Sequence, residues 1–276
     1  YAALGLPWIP PELRERRGEI EAAGRGRLPR LVTREDLRGD AHMHTTATDG
    51  RDTIEAMILA AKALGHEYIA ITDHSQALAM ANGLDERRAL AHAARVREAG
   101  ARIGGIEVLA GIECDIRPDG TLDLADDCLA QLDLVIASVH SAFQQDEAQM
   151  TDRVLRALEN PWVDVLGHPT GRLLLRRPSY RLDVERVIDA AAAHGVALEI
   201  NCQLDRLDLG DSHARLARDR GARVVISTDA HATAALEWQR WGVLTARRAW
   251  LAPADVLNTR PVAEFRAALR RHRRAR

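Results

Sequence analysis

An alternation of short apolar runs with longer amphipathic stretches constrains the fold of this chain more than any other feature. From Gly39 onward, each apolar or β-branched run precedes a stretch with helical spacing of its apolar residues. The predicted strands are 39–43, 68–72, 107–112, 133–139, 163–167, 196–200 and 223–228. Because strands that alternate with helices form parallel sheets with right-handed crossovers, the sequence predicts an α/β fold.

Several helix ends can be predicted from local signals. Asp52 followed three residues later by Glu55 resembles a capping box, and the apolar face that follows stops at Gly65. Three more helices are expected to end at Gly100, Gly195 and Gly221. Over roughly 240 residues, seven βα units favour a closed barrel, with an open doubly wound sheet as the alternative. The chain lacks a GxGxxG turn after its first strand and a Walker A motif, which disfavours the open sheet.

Residues 1–38 differ in composition from the rest of the chain. Prolines and glycines lie among arginine and glutamate residues, which predicts an extended arm or linker with one short helix at 11–23 and solvated charges. The barrel domain is expected to occupy residues 39–276 and to end in a basic helix within 253–276. Two alternatives are expected for that helix: it contacts a nucleic-acid backbone, or it is a helix end exposed to solvent. Its basic residues are Arg266, Arg270, Arg271, Arg273, Arg274 and Arg276.

Composition excludes several classes of protein. No apolar run approaches the ~18 residues of a membrane span, and the first residues do not form a signal peptide. Three scattered cysteines without a CxxC pair predict reduced thiols and a cytoplasmic setting. The only lysine, Lys62, falls inside a predicted amphipathic helix, which disfavours Schiff-base catalysis. Because the chain starts with Tyr1 rather than Met, we expect it to be part of a longer protein, and we expect a monomer.

Polar residues of metal-ligand type follow every predicted strand. The carboxyl ends of barrel strands share one rim, so these side chains are expected to meet there. Histidines two residues apart, as at 42 and 44, point to the same side of an extended strand and can bind one centre. The candidate ligands are His42, His44, Asp49, His74, Glu113, His140, His168, Asp229 and His231. Five other histidines fall away from the rim and are assigned no role: His66, His92, His194, His213 and His272.

This many ligands exceeds the needs of one ion. A metal centre takes about four to six ligands, some of them water, so two or three ions are expected. Imidazole with carboxylate suits zinc, manganese or iron, and a carboxylate is the group best able to bridge two ions. Asp73 should point to the opposite face of its strand, where it would be structural or would orient a ligand histidine.

These residues resemble the ligand pattern of the PHP (polymerase and histidinol phosphatase) superfamily over roughly residues 39–250. Within it, the sequence is most similar to the C-terminal PHP domain of bacterial family X DNA polymerases. The arm resembles the segment that joins the polymerase part to that domain. The stretches that carry the likeness are 6–14, 18–21, 39–46, 70–75, 138–141, 166–174, 206–209 and 227–231. The resemblance implies a distorted seven-stranded, TIM-like (β/α)7 barrel with a trinuclear metal site at the C-terminal rim of its strands.

The resemblance also implies how the ligands divide among three divalent ions, Mn²⁺ or Zn²⁺ and possibly Fe. One ion would be held by His42, His44, Glu113 and Asp229; a second by Glu113, His140 and His168; a third by Asp49, His74 and His231. Glu113 and Asp229 would be catalytic through a water activated by the ions. Arg206, Arg172 and Ser141 are candidate contacts to the substrate phosphate, with structural ion pairs as the alternative for the two arginines.

Three functions remain open from the sequence. The first is a Mn²⁺-dependent 3′→5′ exonuclease that processes DNA 3′ ends in base-excision repair, attached to an upstream polymerase domain. The second is a small-molecule phosphatase of the histidinol-phosphate type. The third is a non-catalytic scaffold of a polymerase, which the intact ligand set disfavours. The linker-like arm and the stretch 170–174 favour the first function.

Overall fold

The computed structural model describes residues 1–269, and its centre is a parallel seven-stranded barrel that is nearly closed. The strands pair in sequence order, each with its neighbour along the chain. They are β1 Gly39–Asp40, β2 Tyr68–Ile71, β3 Glu107–Asp115, β4 Leu134–Ser138, β5 Val165–Leu166, β6 Ala197–Asn201 and β7 Arg223–Ser227. All seven strands lie where the sequence predicts them. The barrel is therefore confirmed and the open doubly wound sheet is wrong.

The seam between β7 and β1 closes just beyond the ends of these strands. Met43 and Ala230 form a parallel bridge, and the His44 amide donates to the Ala230 carbonyl at 2.8 Å. Lower in the seam, the Asn258 amide group donates to the carbonyls of Gly39 and Ile226 at 2.8 and 2.7 Å. The closure brings ligand candidates from the two ends of the barrel sequence side by side.

Helices surround the barrel and connect successive strands. The α-helices are α1 Glu19–Gly24, α2 Ile54–Ala63, α3 Glu86–Ile103, α4 Asp126–Leu129, α5 Glu147–Glu159, α6 Val184–His194, α7 Asp211–Asp219, α8 Gln239–Arg248 and α9 Val262–Ala268. Short 3₁₀ helices are Ala2–Leu4, Pro11–Leu13, Arg34–Asp36, Ala79–Ala81, Thr233–Trp238, Pro253–Asp255 and Leu257–Thr259. Over residues 1–269, no helix is long and apolar enough to cross a membrane.

Two predicted helix ends are wrong for identifiable reasons. The cap of α2 is Thr53, whose hydroxyl accepts the Ala56 amide, while Asp52 accepts the amide of Thr233 on the far side of the seam. Helix α3 continues through Gly100 to Ile103. A Cβ at Gly100 would lie 2.9 Å from the Val108 side chain, so this glycine allows close packing against β3. The predicted end at Gly195 is confirmed.

The N-terminal arm is docked on the barrel. Ile9, Leu13 and Leu31 bury their side chains with Trp250 in a separate apolar cluster. The predicted helix at 11–23 is two pieces, a 3₁₀ turn and α1. Most charges of the arm are exposed, but the prediction that they are solvated is wrong for three of them, which form ion pairs with the barrel. The pairs are Glu12–Arg247 at 2.6 Å, Arg17–Asp211 at 2.7 Å and Glu15–Arg248 at 2.8 Å.

Helix α9 closes the end of the barrel at which the strands begin. Its Phe265 ring lies 4.8 Å from the ring of Tyr68, measured between centroids, at the start of β2. Leu134, Val165 and other buried residues complete this apolar plug. Only the first part of the predicted basic helix is described, and Arg266 in it pairs with Glu107. Arg270, Arg271, Arg273, Arg274, Arg276 and His272 lie outside the described residues.

Candidate metal centre

The structure brings all of the predicted ligands together at the carboxyl end of the barrel. Most of the side chains are buried, while Asp49, His140 and His231 lie toward solvent. His168 and Asp229 have left-handed backbone conformations, with φ of 25° and 51°, directly after the strands that carry them. Such a backbone is costly for non-glycine residues and is typical of functional sites.

One group of donor atoms lies at the seam of the barrel. The Nε2 atoms of His42 and His44 are 3.2 Å apart, and His44 Nε2 lies 3.0 Å from Asp229 Oδ1. Glu113 Oε2 lies 3.4 Å from His42 Nε2. The i,i+2 spacing of the two histidines therefore aims both rings at the same point, as the sequence predicts.

Two further groups flank the first. Glu113 Oε1 lies 2.9 Å from His168 Nε2 and 3.4 Å from His140 Nε2. On the other side, Asp49 Oδ1 lies 3.5 Å from His74 Nε2 and 3.4 Å from His231 Nε2. Glu113 thus directs one carboxylate oxygen to each of two neighbouring groups, which is the placement of a bridging ligand.

These spacings fit divalent metal ions. Ligand atoms about 2.1 Å from an ion are about 3.0–3.4 Å from one another in octahedral or tetrahedral geometry. Among the described residues, the buried Glu113 Oε2 makes no hydrogen bond of acceptable geometry, although His74 Nδ1 lies 2.9 Å from it. A buried carboxylate oxygen without a partner is costly unless a cation satisfies it. The donor set, imidazole with carboxylate, is the one that zinc, manganese and iron take.

The second ring nitrogen of three ligand histidines is fixed by an acceptor. His42 Nδ1 donates to Glu199 at 2.7 Å, and His140 Nδ1 donates to Asp115 at 3.1 Å. His231 Nδ1 donates to the Asp229 carbonyl at 2.8 Å. Because Nδ1 of each ring donates to an acceptor, Nε2 is the nitrogen that faces the centre and would hold a metal ion.

The acceptors Glu199 and Asp115 were not predicted from the sequence to have a role. Glu199 also accepts the His168 amide at 2.6 Å, and Asn201 donates to both Glu199 and Asp229 at 3.1 and 3.0 Å. A weak signal exists in the spacing, because Asp115 lies two residues after Glu113 on β3. Residues two apart on a strand share a face.

The charges of the site support one another. Burial alone would raise the pKa of the Glu113 carboxyl, but the imidazoles of His140, His42 and His74 hold it well below its usual range. Burial lowers the pKa of His44 to about 4, and the neighbouring His74 and His231 act in the same direction. At neutral pH the site therefore offers an ionised carboxylate and a neutral imidazole, the forms that bind metal.

The loop after β1 places Asp49 over the centre. A Cβ at Gly50 would lie 2.6 Å from the Thr45 amide nitrogen, so only glycine allows the loop to fold back this closely. Asp73 accepts the Thr45 amide and hydroxyl at 2.8 and 2.7 Å and pairs with His92 at 2.8 Å. Asp73 therefore holds this loop rather than a ligand histidine, and His92, assigned no role from sequence, supports it.

The three predicted phosphate contacts have different surroundings. Arg206 lies at the centre, with its Nε 3.7 Å from Asp229 Oδ2. Ser141 is exposed directly after the candidate ligand His140. The Arg172 guanidinium donates to the backbone carbonyls of Arg206 and Leu207, so it holds the loop that carries Arg206. Arg172 thus has the structural role that the sequence left open for it, with backbone carbonyls in place of an acidic partner.

A buried cluster of imidazoles and carboxylates at the mouth of a βα barrel defines a metal-dependent hydrolase. The family model of the PHP domain matches residues 40–203. The chain belongs to the PHP domain family, whose members are metal-dependent phosphoesterases.

Relatives of two kinds are similar to this chain. The "DNA polymerase/3′-5′ exonuclease PolX" of Bacillus subtilis (strain 168) is 42% identical over 272 residues, which cover 99% of this chain and 47% of that protein. The chain thus spans about half the length of this relative. A protein of Shewanella sp. (strain MR-4) named "Probable phosphatase" is 33% identical over 202 residues, 70% of this chain and 75% of that protein.

Solved structures share the fold. The histidinol phosphate phosphatase of Lactococcus lactis subsp. lactis Il1403, in complex with zinc, L-histidinol and phosphate, superposes with a TM-score of 0.54. The two sequences are 17% identical, and the match covers 76% of this chain and 94% of that one. At this identity the likeness supports the barrel alone.

Proposed function

We propose that this chain is a phosphoesterase that acts on DNA, a Mn²⁺-dependent 3′→5′ exonuclease that processes 3′ ends in base-excision repair. The observation that carries the proposal is the position of Glu113. Its Oε1 lies 2.9 Å from His168 Nε2, and its Oε2 lies 2.9 Å from His74 Nδ1 and 3.4 Å from His42 Nε2, as a ligand shared by metal ions would. Cleavage of phosphate esters is among the reactions that such paired sites serve.

The proposed ligand sets divide the candidate ligands among three ions, with two residues between sets. His42, His44, Glu113 and Asp229 form the first set; Glu113, His140 and His168 the second; Asp49, His74 and His231 the third. His44 also lies within reach of Asp49, His74 and His231, and His74 also lies beside Glu113 and His140. When bound, the ions would polarise the phosphate, lower the pKa of a water and neutralise the leaving oxygen. Within the protein, Glu113 and Asp229 supply the negative charge that holds the ions, and Glu199 and Asp115 fix the ring orientation of His42 and His140.

Arg206 is the residue that we propose for gripping the substrate phosphate. Its guanidinium is only partly exposed and lies beside Asp229 at 3.7 Å. A planar guanidinium can donate two parallel hydrogen bonds to phosphate oxygens. Arg172 supports this role, because its Nε donates to the backbone carbonyl of Arg206 at 2.8 Å and so holds the Arg206 backbone in place. Ser141, beside His140, is proposed as a second phosphate contact.

The likeness to the B. subtilis protein supports DNA as the substrate. It extends over 99% of the chain, including the arm, whereas the Shewanella relative matches 70%. We also propose an upstream polymerase domain as the partner of this chain, a cytoplasmic setting that keeps its cysteines reduced, and a monomeric state.

The test is digestion of a 5′-labelled duplex with a recessed 3′ end in Mn²⁺. We expect a ladder of shortened products from the wild-type protein and none from His42→Ala or Glu113→Ala. His194→Ala is the matched control, because His194 is exposed at the end of α6 and should leave the ladder unchanged.

The second candidate is a small-molecule phosphatase, which the Shewanella relative favours. In the same experiment it would leave the DNA intact and would release phosphate from histidinol phosphate. An inert protein that still binds metal would instead indicate a scaffold. The complete set of facing donor atoms counts against that outcome.

A further inference from the structure

A cavity of about 560 Å³ opens directly beside the candidate metal centre. Asp229 and His231 belong both to its lining and to the centre, so a molecule in the cavity contacts the reacting position. The volume lies within the roughly 300–1,000 Å³ that is typical of sites for small organic groups. A phosphate bound at the centre would therefore have a neighbouring compartment for the group attached to it.

The lining of the cavity has two chemically distinct parts. The segment 232–238 after β7 contributes an apolar wall of Ala234, Ala235 and the partly buried Trp238. The loops after β1 and β6 contribute the cations Arg51 and Arg206, together with Gln203 and with Asp205, which pairs with Arg176 at 3.5 Å. A ligand that matches both parts carries a planar apolar group and a phosphate within one molecule.

The backbone holds these two parts against the centre. The Arg51 amide donates to the His231 carbonyl at 2.7 Å, which fixes the backbone of this exposed arginine next to a ligand candidate. The Thr233 amide donates to Asp52 at 2.7 Å, which ties the start of the apolar wall to the same loop. The wall and the cation are thus parts of one built compartment.

We propose that this cavity is the subsite for the terminal nucleoside of the DNA strand, with its base against Trp238 and its phosphate between Arg51 and Arg206. This inference rests on the proposed function and extends it to the residues that recognise the substrate. Bases of every kind stack on an aromatic ring, so the subsite serves an enzyme that removes nucleotides regardless of sequence. Arg51 contacts the phosphate, so its contribution to binding should not depend on the base.

The test compares two 5′-fluorescent oligonucleotides that differ only at the 3′ end, one with a normal terminal base and one with an abasic terminal nucleotide. Both carry a phosphorothioate at the last linkage to slow hydrolysis, and fluorescence anisotropy measures their dissociation constants in Mn²⁺. Loss of one base–aromatic stack is worth about 5- to 150-fold in affinity. We expect the wild-type protein to prefer the normal end by a factor in this range.

The variants separate the two roles. Trp238→Ala should abolish the preference for the normal end, and Arg51→Ala should weaken both oligonucleotides by the same factor. Ala234→Glu, at an exposed position of the wall, should reduce the preference if Trp238→Ala does not fold. Trp8→Ala is the control, because Trp8 is 64% exposed on the arm and does not line the cavity.

The outcomes distinguish this subsite from the proposed function. Digestion of DNA together with an unchanged preference in Trp238→Ala and Ala234→Glu overturns the subsite and leaves the exonuclease intact. A wild-type protein that binds both oligonucleotides equally also overturns it. Failure to bind or digest either oligonucleotide, with phosphate released from histidinol phosphate, overturns both proposals.

Discussion

The two ends of the barrel differ in the polarity of their side chains, although the same strands contribute to both. At the end where the strands begin, Tyr68, Leu134 and Val165 pack against Phe265 of α9 in an apolar plug. At the end where they finish, imidazoles and carboxylates face one another at 2.9–3.6 Å. Burial of apolar surface stabilises the first end by about 25 cal/mol per Å², whereas burial of polar groups at the second is costly without cations.

The contrast assigns stability to one end and chemistry to the other. Strand β3 illustrates the division, because it begins at the exposed Glu107 and carries Glu113 in the middle of the metal centre. Substitutions at the plug should therefore change unfolding and leave the reaction intact, and substitutions at the rim should do the reverse. Four predictions test this division, in order of decreasing effect.

The largest effect is expected for Glu113→Gln at the rim. An amide cannot supply a bridging negative charge, so transition-state stabilisation of several kcal/mol is lost and hydrolysis of DNA should slow by roughly 10²–10⁴-fold. Gel assays of Mn²⁺-dependent digestion measure the rate, and circular dichroism reports the fold. Glu107→Gln, at the other end of the same strand, should digest DNA at the wild-type rate. Equal rates for the two variants would contradict the division of stability and chemistry between the two ends of the barrel.

At the plug, Phe265→Ala should lower the free energy of unfolding by about 3–5 kcal/mol, because it leaves a cavity under the barrel. Urea denaturation measures this loss. Below the unfolding transition, digestion of DNA should continue at the wild-type rate. Glu264→Ala, at the exposed neighbouring position of α9, should be neutral. A slow but fully stable Phe265→Ala protein would contradict the separation of roles.

A third prediction contrasts two buried histidines. His42 faces carboxylates at the rim: burial opposes protonation of its ring, but Glu199, Asp229 and Glu113 raise its pKa well above the usual range. His66 lies just before β2 and is buried as well. Burial lowers the pKa of His66 to about 4, and the charge of Arg34 acts in the same direction.

The unfolded chain therefore binds a proton at His66 below about pH 6.5, while the folded chain does so only near pH 4. This contribution to stability is complete above pH 6.5 and is lost as the pH falls toward 4, on the order of 2–3 kcal/mol. Urea denaturation at pH 7 and pH 5 should show a smaller difference for His66→Asn than for the wild type. An unchanged difference would show that His66 is not the group responsible.

The smallest effect is expected where the arm meets the barrel. Arg247 bonds Glu12 at 2.6 Å and the Val32 carbonyl at 3.2 Å, and its side chain is only partly exposed. Arg247→Ala should cost about 1 kcal/mol of stability and make the arm easier to cleave by protease. Digestion of DNA should be unaffected. Unchanged protease resistance would mean that the apolar cluster around Trp250 holds the arm without this pair.

The sequence was sufficient for the strands and for the convergence of the ligands. Short apolar runs followed by His42, Glu113 or Asp229 predict strand ends, and parallel strands in one barrel must share a rim. What it could not predict depends on partners distant along the chain. Asp52 was expected to cap a helix, but its carboxylate accepts a hydrogen bond from the Thr233 amide across the seam. The orienting roles of Glu199 and Asp115 likewise require the rings of His42 and His140 to be in place.

The central claim is that the rim is a site for several metal ions in which Glu113 is the shared ligand. Its most direct test is the metal content of the protein, measured by mass spectrometry after equilibration with Mn²⁺ and removal of free metal. We predict about three ions per chain for the wild type, from about four to six ligands per ion with water completing each. Glu113→Gln should lose at least one of them. A wild-type protein with one ion or none, or a Glu113→Gln variant with the wild-type content, would contradict the account.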